Sequence, residues 1–140
     1  MVLAGVERKR FRQNGARMKP LDFKVSGFLF SGTHAGIKKD ERRDLGLIYS
    51  EVPAQIAGLF TTNAIKAAPV LLDMERIKGG LCQAILVNSG NANACTGSQG
   101  VRDSRKMAFL VAKRLGVDER LVFVSSTGVI GVPLPVKRIE

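Results

Sequence analysis

Residues 84–97, which read AILVNSGNANACTG, carry the strongest fold signal in the chain, because they run from an apolar strand into the start of a helix. The apolar run 84–87 is typical of a strand that is buried on both faces. A polar loop follows it. Gly97–Leu115 then carries apolar residues at steps of three and four, which is the spacing of one helix face. We therefore expect a strand, a loop and one long helix.

The predicted helix has signals at both ends. Thr96 and Gln99 have the spacing of a capping box, which satisfies free backbone N–H groups at a helix start. Gly116 follows the last residue of the apolar stripe, where glycine suits a left-handed C-cap. These signals set the predicted helix bounds.

Short apolar segments surround this unit. Residues 25–30, 45–51 and 121–126 are predicted strands, and Pro53 is expected to stop the second of them. Residues 56–62 and 68–72 are also predicted to be extended, and residues 73–78 to form a single helical turn. Strands around one long helix indicate an α/β fold of the mixed α+β kind.

Composition and charge narrow the class of protein. The chain has 140 residues, 45% of them apolar and 24% charged, as expected for one globular domain. Its formal net charge is +10. Residues 1–20 are predicted to be a basic N-terminal arm, ahead of an α/β part at residues 21–140. We expect a cytoplasmic protein without a membrane partner, because no apolar stretch approaches the ~20 residues of a membrane helix.

The basic arm allows an alternative function. Such an arm can bind phosphates of a nucleic acid, stay solvated or meet an acidic partner. No sequence signature of nucleic-acid recognition accompanies the charge, so we expect no nucleic-acid partner. A basic α/β binding module for RNA or for an acidic partner remains the alternative.

Metal and thiol chemistry have few residues to draw on. Cys82, Cys95 and His34 are the only cysteines and the only histidine, and a structural zinc site needs four such ligands. A disulfide is unusual in a cytoplasmic domain of this size. We therefore predict no metal, a buried free thiol at Cys82 and no functional role for His34.

The loop between the strand and the helix is the first candidate site. Its asparagines and glycine can adopt left-handed turns and present many donors and acceptors. The candidate binding residues are Asn88, Ser89, Gly90, Asn91 and Asn93. A packed turn whose amides satisfy buried backbone groups is the alternative.

The second candidate site is residues 125–135, at the end of the last predicted strand. Thr127 contributes a hydroxyl, and Gly128 lets the backbone come close to a ligand. Two donors aimed at one point are the minimum for an oxyanion hole. A strand-ending turn without a ligand is the alternative.

Five segments occur in the order and at the spacings of a known family. They read AGIKK at 35–39, GLFTTN at 58–63, KAAPV at 66–70, NSGNANACTG at 88–97 and STGVIGVPLP at 126–135. From about residue 27 onward the chain resembles the N-terminal (α) chain of the ArgJ-type ornithine acetyltransferases, also called glutamate N-acetyltransferases.

This resemblance implies a layered α/β fold of the DmpA/ArgJ type, related in mechanism to N-terminal-nucleophile hydrolases and incomplete without a β chain. It implies a precursor that cuts itself before a threonine, and an α₂β₂ heterotetramer. The acetyl group would pass from N-acetylornithine to glutamate through an acetyl-threonine on the β chain. Acetyl-CoA is a further donor in some members, and no cofactor is implied.

The resemblance also implies roles for single residues. Thr127 and Gly128 fall on the family's oxyanion hole, whereas the nucleophilic threonine is not in this chain. We therefore expect no transferase activity from residues 1–140 alone. An ArgJ-like relative with a different acyl donor or acceptor, or an inactive relative, remains open.

Overall fold

The computed structural model describes residues 12–13, 16–17 and 25–140 of the chain. Strands β1 (Arg12–Gln13) and β2 (Ala16–Arg17) pair with each other antiparallel. The rest of the predicted basic arm lies outside the described residues. The division into an arm and an α/β part therefore stays a prediction.

The main sheet has four strands in the order β3-β4-β5-β6. They are β3 (Phe28–Thr33), β4 (Leu45–Gln55), β5 (Leu81–Asn91) and β6 (Val122–Val129). The pairs β3–β4 and β4–β5 are antiparallel, and β5–β6 is parallel. This mixed sheet confirms the predicted mixed α/β class.

Two helices connect these strands. Helix α1 (Ala68–Arg76) lies between β4 and β5, and helix α2 (Gly97–Leu115) is the crossover that the parallel pair β5–β6 requires. Short 3₁₀ turns occupy Ile77–Gly79, Glu119–Leu121 and Val136–Arg138. Neither helix of the described part is both long and apolar enough to cross a membrane.

The hydrophobic core lies between the two helices and one face of the sheet. Its buried members come from both helices, from β5 and β6, and from the segment after β6. They are Leu72, Ala84, Leu86, Met107, Ala108, Val111, Ala112, Val122, Val124 and Leu134. We call this side of the sheet the helix face.

The opposite side of the sheet, here called the open face, carries a row of apolar residues. Phe30, Ile48, Ile85 and Phe123 are consecutive partners across the four strands. Phe30 is exposed and Ile85 is half-buried, whereas Ala84 on the helix face is buried. The expectation that residues 84–87 are buried on both faces is therefore met only on the helix face.

Helix α2 has the predicted bounds, but its N-terminus lacks the predicted capping box. Gly116 is left-handed, with φ 71°, as expected for the C-cap. The predicted capping box is wrong, because the Thr96 hydroxyl donates to Asn93 Oδ1 and the Gln99 amide donates to Asp103 Oδ1. Neighbouring side chains three and four residues away have taken both groups of the predicted box.

The predicted extended segment 68–72 is also wrong, because these residues form the first half of α1. Pro69 lies in the first helical turn, where its missing N–H leaves no intrahelical bond unmade. Leu72 is buried in the core and Ala68 is buried as well, which favours the helix over the local preference for an extended chain. Residues 56–62 form no regular element.

Two strand bounds differ from expectation. β3 lies three residues further along than the predicted strand 25–30. β4 continues through Pro53 to Gln55, because its register with β5 shifts between Tyr49 and Ala54. Pro53 lies inside that irregularity, where its missing N–H does not interrupt the paired ladder.

Candidate active site

The parallel pairing of β5 and β6 brings the two candidate segments together. Ser89 is the register partner of Thr127, and Gly90 is the partner of Gly128. Parallel strands end at the same edge of a sheet, so both segments leave the sheet side by side. The sequence predicted each segment, and the structure places the two side by side as one candidate site.

Gly128 makes the closest approach between the two strands. Its φ is 137°, a conformation that side chains rarely adopt. A Cβ on Gly128 would lie 2.5 Å from Asn91 N and 2.7 Å from Gly90 Cα. Only glycine fits there, so the β6 backbone rests directly on the β5 backbone at this point.

Thr127 lies on the open face of the sheet. Alternation along β6 places Thr127 on the side of Phe123, and Ser126 on the side of Val124 and the helices. Consistently, the Ser126 hydroxyl donates to Asn88 Oδ1 at 2.5 Å on the helix face. Thr127 is exposed, and its hydroxyl makes no hydrogen bond with residues 25–140.

The three candidate asparagines are buried and use their amides inside the protein. Asn88 donates to the carbonyl of Asn91 at 2.8 Å. Asn93 donates to the Gly100 carbonyl and to Ser104 Oγ, both at 2.9 Å. These contacts tie the loop to helix α2. Substrate binding by Asn88, Ser89, Gly90, Asn91 and Asn93 stays a prediction.

The segment that follows Gly128 is tied to the same loop. The Asn91 amide donates to the carbonyls of Val132 at 3.0 Å and Pro133 at 3.2 Å. Two backbone bonds join the same segments, from Ala92 N to Val129 O and from Gly131 N to Ala94 O. Both sides of the site are therefore held by one network.

Asp44 organises the loop before β4, and sequence reasoning did not single it out. Its buried carboxylate accepts the backbone N–H of Ala35 at 2.6 Å and of Lys38 at 2.8 Å. Burial alone would raise the Asp44 pKa, but the backbone hydrogen bonds outweigh it and lower the pKa. An aspartate just before an apolar strand was the signal available in the sequence.

The Asp44 loop brings the segment AGIKK to the edge of the site. The carbonyl of Asp44 accepts the N–H of Ser89 at 2.8 Å. A Cβ built on Gly90 would lie 3.0 Å from Lys38 Cγ and 3.2 Å from Ile37 Cγ2. Three of the five sequence segments that carry the family resemblance thus meet around Gly90.

The cysteines and the histidine of the described residues are not arranged as a reactive thiol site or as a metal site. Burial raises the pKa of Cys82 to about 11, so this thiol stays protonated at neutral pH. Cys95 is exposed and unpaired with Cys82. His34 is exposed, with Nδ1 3.0 Å from the Arg42 carbonyl oxygen. Residues 25–140 contain no cluster of three or more His, Cys, Asp and Glu side chains able to hold a metal ion.

Fold and site together define a layered α/β protein with a polar turn where two parallel strands end. The chain belongs to the ArgJ family, whose family model matches residues 29–140. This match confirms the family resemblance of the five sequence segments.

Two relatives show how much of a family member this chain represents. The arginine biosynthesis bifunctional protein ArgJ of Geobacter sulfurreducens is 60% identical over 116 residues, which cover 83% of this chain and 30% of that protein. The protein of the same name from Syntrophotalea carbinolica is 60% identical over 117 residues, 84% of this chain and 30% of that protein. This chain thus spans about 30% of the length of the curated relatives that it matches.

Two similar crystal structures support the layered fold. ArgJ of Bacillus halodurans superposes with a TM-score of 0.78 at 45% identity, covering 81% of this chain and 60% of that chain. Ornithine acetyltransferase of Mycobacterium tuberculosis, complexed with ornithine, gives a TM-score of 0.79 at 41% identity, covering 81% of this chain and 62% of that chain. The predicted ArgJ-type α/β fold is confirmed.

Proposed function

We propose that this chain is the α-chain portion of an ornithine acetyltransferase that moves an acetyl group from N-acetylornithine to glutamate. The observation that carries this proposal is the backbone contact between Gly90 and Gly128, which leaves Thr127 exposed on the open face. An exposed hydroxyl beside a fixed, side-chain-free backbone can offer donors to a developing oxyanion.

The proposed chemistry proceeds in two acyl-transfer steps. The hydroxyl oxygen of a terminal threonine on the β chain attacks the acetyl carbonyl carbon, and its proton passes to the α-amine of that threonine. The carbon–nitrogen bond then breaks, and ornithine leaves with the proton. The amine of glutamate attacks the acetyl-threonine ester, and N-acetylglutamate leaves as the threonine hydroxyl re-forms.

Thr127 and Gly128 have one role in both steps. Each attack converts a planar carbonyl into a tetrahedral intermediate with negative charge on its oxygen. The Thr127 hydroxyl and the Gly128 N–H would donate hydrogen bonds to that oxygen. Such donors act most strongly when the protein holds them in place before the reaction, because no reorganisation is then needed.

The β chain is the proposed partner, in an α₂β₂ heterotetramer. In the row across the open face Phe30 is exposed and Ile48 and Ile85 are half-buried, whereas Phe123 is already buried, so an apolar surface remains uncovered on the side of β3. Thr127 lies on this same face. A second chain that packs on this apolar surface and extends across the sheet to β6 would approach Thr127, as the proposed threonine nucleophile must.

The substrates are proposed from the relatives. The similar structure of ornithine acetyltransferase is a complex with ornithine, which supports an ornithine-containing substrate for this chain. Acetyl-CoA is proposed only as a further acetyl donor to glutamate, and no cofactor is required. The cytoplasm is the proposed location, because the relatives are named as arginine biosynthesis proteins.

An acetyl-transfer assay tests the proposal. The complete protein, with its β chain, is supplied with N-acetylornithine and glutamate, and the release of ornithine is measured. We expect ornithine release that depends on glutamate, and none from residues 1–140 alone. Activity of residues 1–140 without a second chain would contradict the proposal that the β chain supplies the nucleophilic threonine. No transfer by the complete protein would contradict the proposed reaction.

A further inference from the structure

We infer that Asn91 is a positioning residue: its side-chain amide holds the segment after Gly128 in the geometry that the oxyanion hole needs. This inference rests on the proposed function. In the proposed mechanism Asn91 does not touch the reacting atoms. It acts through Val129–Pro133, the segment that leaves the site.

Both ends of the Asn91 amide are occupied by defined partners. Its Nδ2 group donates to the carbonyls of Val132 and Pro133, and its Oδ1 accepts the N–H of Asn93 at 2.8 Å. The side chain is buried, so water does not compete for these bonds. An amide is the required group, because the Val132 and Pro133 carbonyls need a donor and the Asn93 N–H needs an acceptor.

Burial of apolar side chains does not hold this segment in the described chain. Val129, Ile130 and Val132 are 58%, 64% and 48% exposed. The segment forms no regular element beyond Val129. Between β6 and Leu134, which is buried in the core, the position of the segment depends on hydrogen bonds, and the Asn91 amide supplies two of the four bonds that join it to residues 91–94.

The other two buried asparagines bond to different parts of the fold. Asn93 bonds to Gly100 and Ser104 of α2, and Asn88 bonds to Ser126 and to the Asn91 carbonyl. Asn91 is the side chain among the three that reaches past Gly128. Loss of its amide should loosen the segment next to Gly128 while leaving the sheet and α2 in place.

The test uses the complete protein with Asn91→Ala. Hydrogen exchange followed by mass spectrometry should show faster exchange at residues 129–133, where the Gly131 N–H is otherwise protected by Ala94, and at Asn93, whose N–H loses its acceptor, with the rest of the sheet and α2 unchanged. Turnover of N-acetylornithine should fall by about 10–100-fold, because a small misplacement of a catalytic group has effects of this size. KM should change much less than kcat.

Ser104→Ala is the matched control. It removes a buried hydrogen bond of the same network, from Asn93 Nδ2 to Ser104 Oγ, on the helix side. We expect a lower unfolding temperature but wild-type kcat and wild-type exchange at residues 129–133. An equal fall of kcat in both variants would overturn the positioning role, because it would then be a general effect of lost stability.

Asn91→Asp provides a second variant with the same shape. An ionised Asp carboxylate cannot donate to the two carbonyls, whereas a neutral carboxyl can donate to one of them. The kcat of this variant relative to wild type should therefore rise as the pH falls. A ratio that stays flat with pH overturns the donor role, and this variant decides the question if Asn91→Ala does not fold.

The exchange measurement separates this inference from the proposed function. Absence of acetyl transfer by the wild-type protein would reject the proposed function. The exchange of residues 129–133 would then still decide whether Asn91 holds the segment. Unchanged exchange in Asn91→Ala, or wild-type kcat in that variant, overturns the inference.

Discussion

Gly90 and Gly128 lie opposite each other in the parallel register of β5 and β6, so close that a Cβ on Gly128 would lie 2.7 Å from Gly90 Cα. Both residues have positive φ, 111° and 137°. The contact is made by backbone alone, which leaves Thr127 free to face the open side of the sheet. The proposed oxyanion hole depends on this contact.

Gly128→Ala should destabilise the complete protein by about 2–5 kcal/mol, since it adds both backbone strain and overpacking. Urea unfolding measures the change in free energy. Gly79→Ala is the matched control, because a Cβ there meets no atom within 4 Å and no positive φ is involved. Equal stability of the two variants would contradict the close contact at Gly128.

Thr127→Val should reduce the turnover of N-acetylornithine by about 10²–10³-fold, because it removes one oxyanion donor while keeping the side-chain shape. Assembly with the β chain should be unchanged, since the Thr127 hydroxyl makes no bond within residues 25–140. Thr127→Ser restores a hydroxyl and should recover most of the rate. An unchanged rate in Thr127→Val would remove Thr127 from the proposed mechanism.

The central strand–helix–strand unit could be predicted from the sequence because its signals are local. The apolar run 84–87, the stripe of Gly97–Leu115 and the cap at Gly116 each need only neighbouring residues. Helix α1 could not be predicted this way. It has nine residues, too few to be stable by propensity alone, and packing of Leu72 into the core supports it.

The candidate site was predicted as two separate segments, because their meeting depends on a long-range register. Nothing local pairs Ser89 with Thr127 or Gly90 with Gly128. Asp44 was missed for a related reason. In the sequence it belongs to a charged corner, whereas its carboxylate accepts backbone N–H groups of residues six and nine positions earlier.

Asp44→Asn should lower the stability of the protein at pH 7 by about 1–3 kcal/mol, because an amide NH₂ would face the N–H groups that the carboxylate now accepts. The Asp44 pKa is lowered by folding, so its contribution is present above the unfolded value of about 4. It is lost as the pH falls through the folded pKa. Urea unfolding at several pH values should show the deficit shrinking in acid.

Asp40→Asn serves as the control for Asp44. Asp40 is exposed and bonds to Arg42, a residue of the same loop. Exposed ion pairs contribute little to stability, so only a small change is expected. A deficit of Asp44→Asn that is equally large at pH 3 and pH 7 would contradict the proposed role of its ionised form.

The free energy of unfolding of Asp73→Asn, relative to that of wild type, should increase as the pH rises. Burial raises the Asp73 pKa to about 6, against the lowering effects of the Val124 N–H bond and of Arg76. Between about pH 4 and about pH 6 the folded state binds the proton that the unfolded state has lost, so wild-type stability falls as the pH rises. An amide keeps the acceptor for Val124 and does not titrate.

Unfolding of wild type and Asp73→Asn at pH 4, 5, 6 and 7 measures this effect. The stability difference should grow up to about pH 6 and then level off. A difference that is constant with pH would show that the Asp73 carboxyl titrates normally. A decrease in the difference would show that its pKa is lowered by folding.

Phe30→Asp should weaken assembly with the β chain at least about tenfold, because a charge would then face the apolar row of the open face. Phe109→Asp is the matched control. Phe109 is 46% exposed, against 48% for Phe30, but it lies on the solvent side of α2 with Lys106 above its ring. Both substitutions introduce the same charge at nearly equal exposure, one on the open face and the other on a helix that lies on the opposite side of the sheet. Sedimentation of the co-expressed chains should show dissociated chains for Phe30→Asp and an intact assembly for Phe109→Asp. Equal assembly of the two variants would mean that the second chain does not pack on the open face. Packing on that face would then not explain how its threonine approaches Thr127.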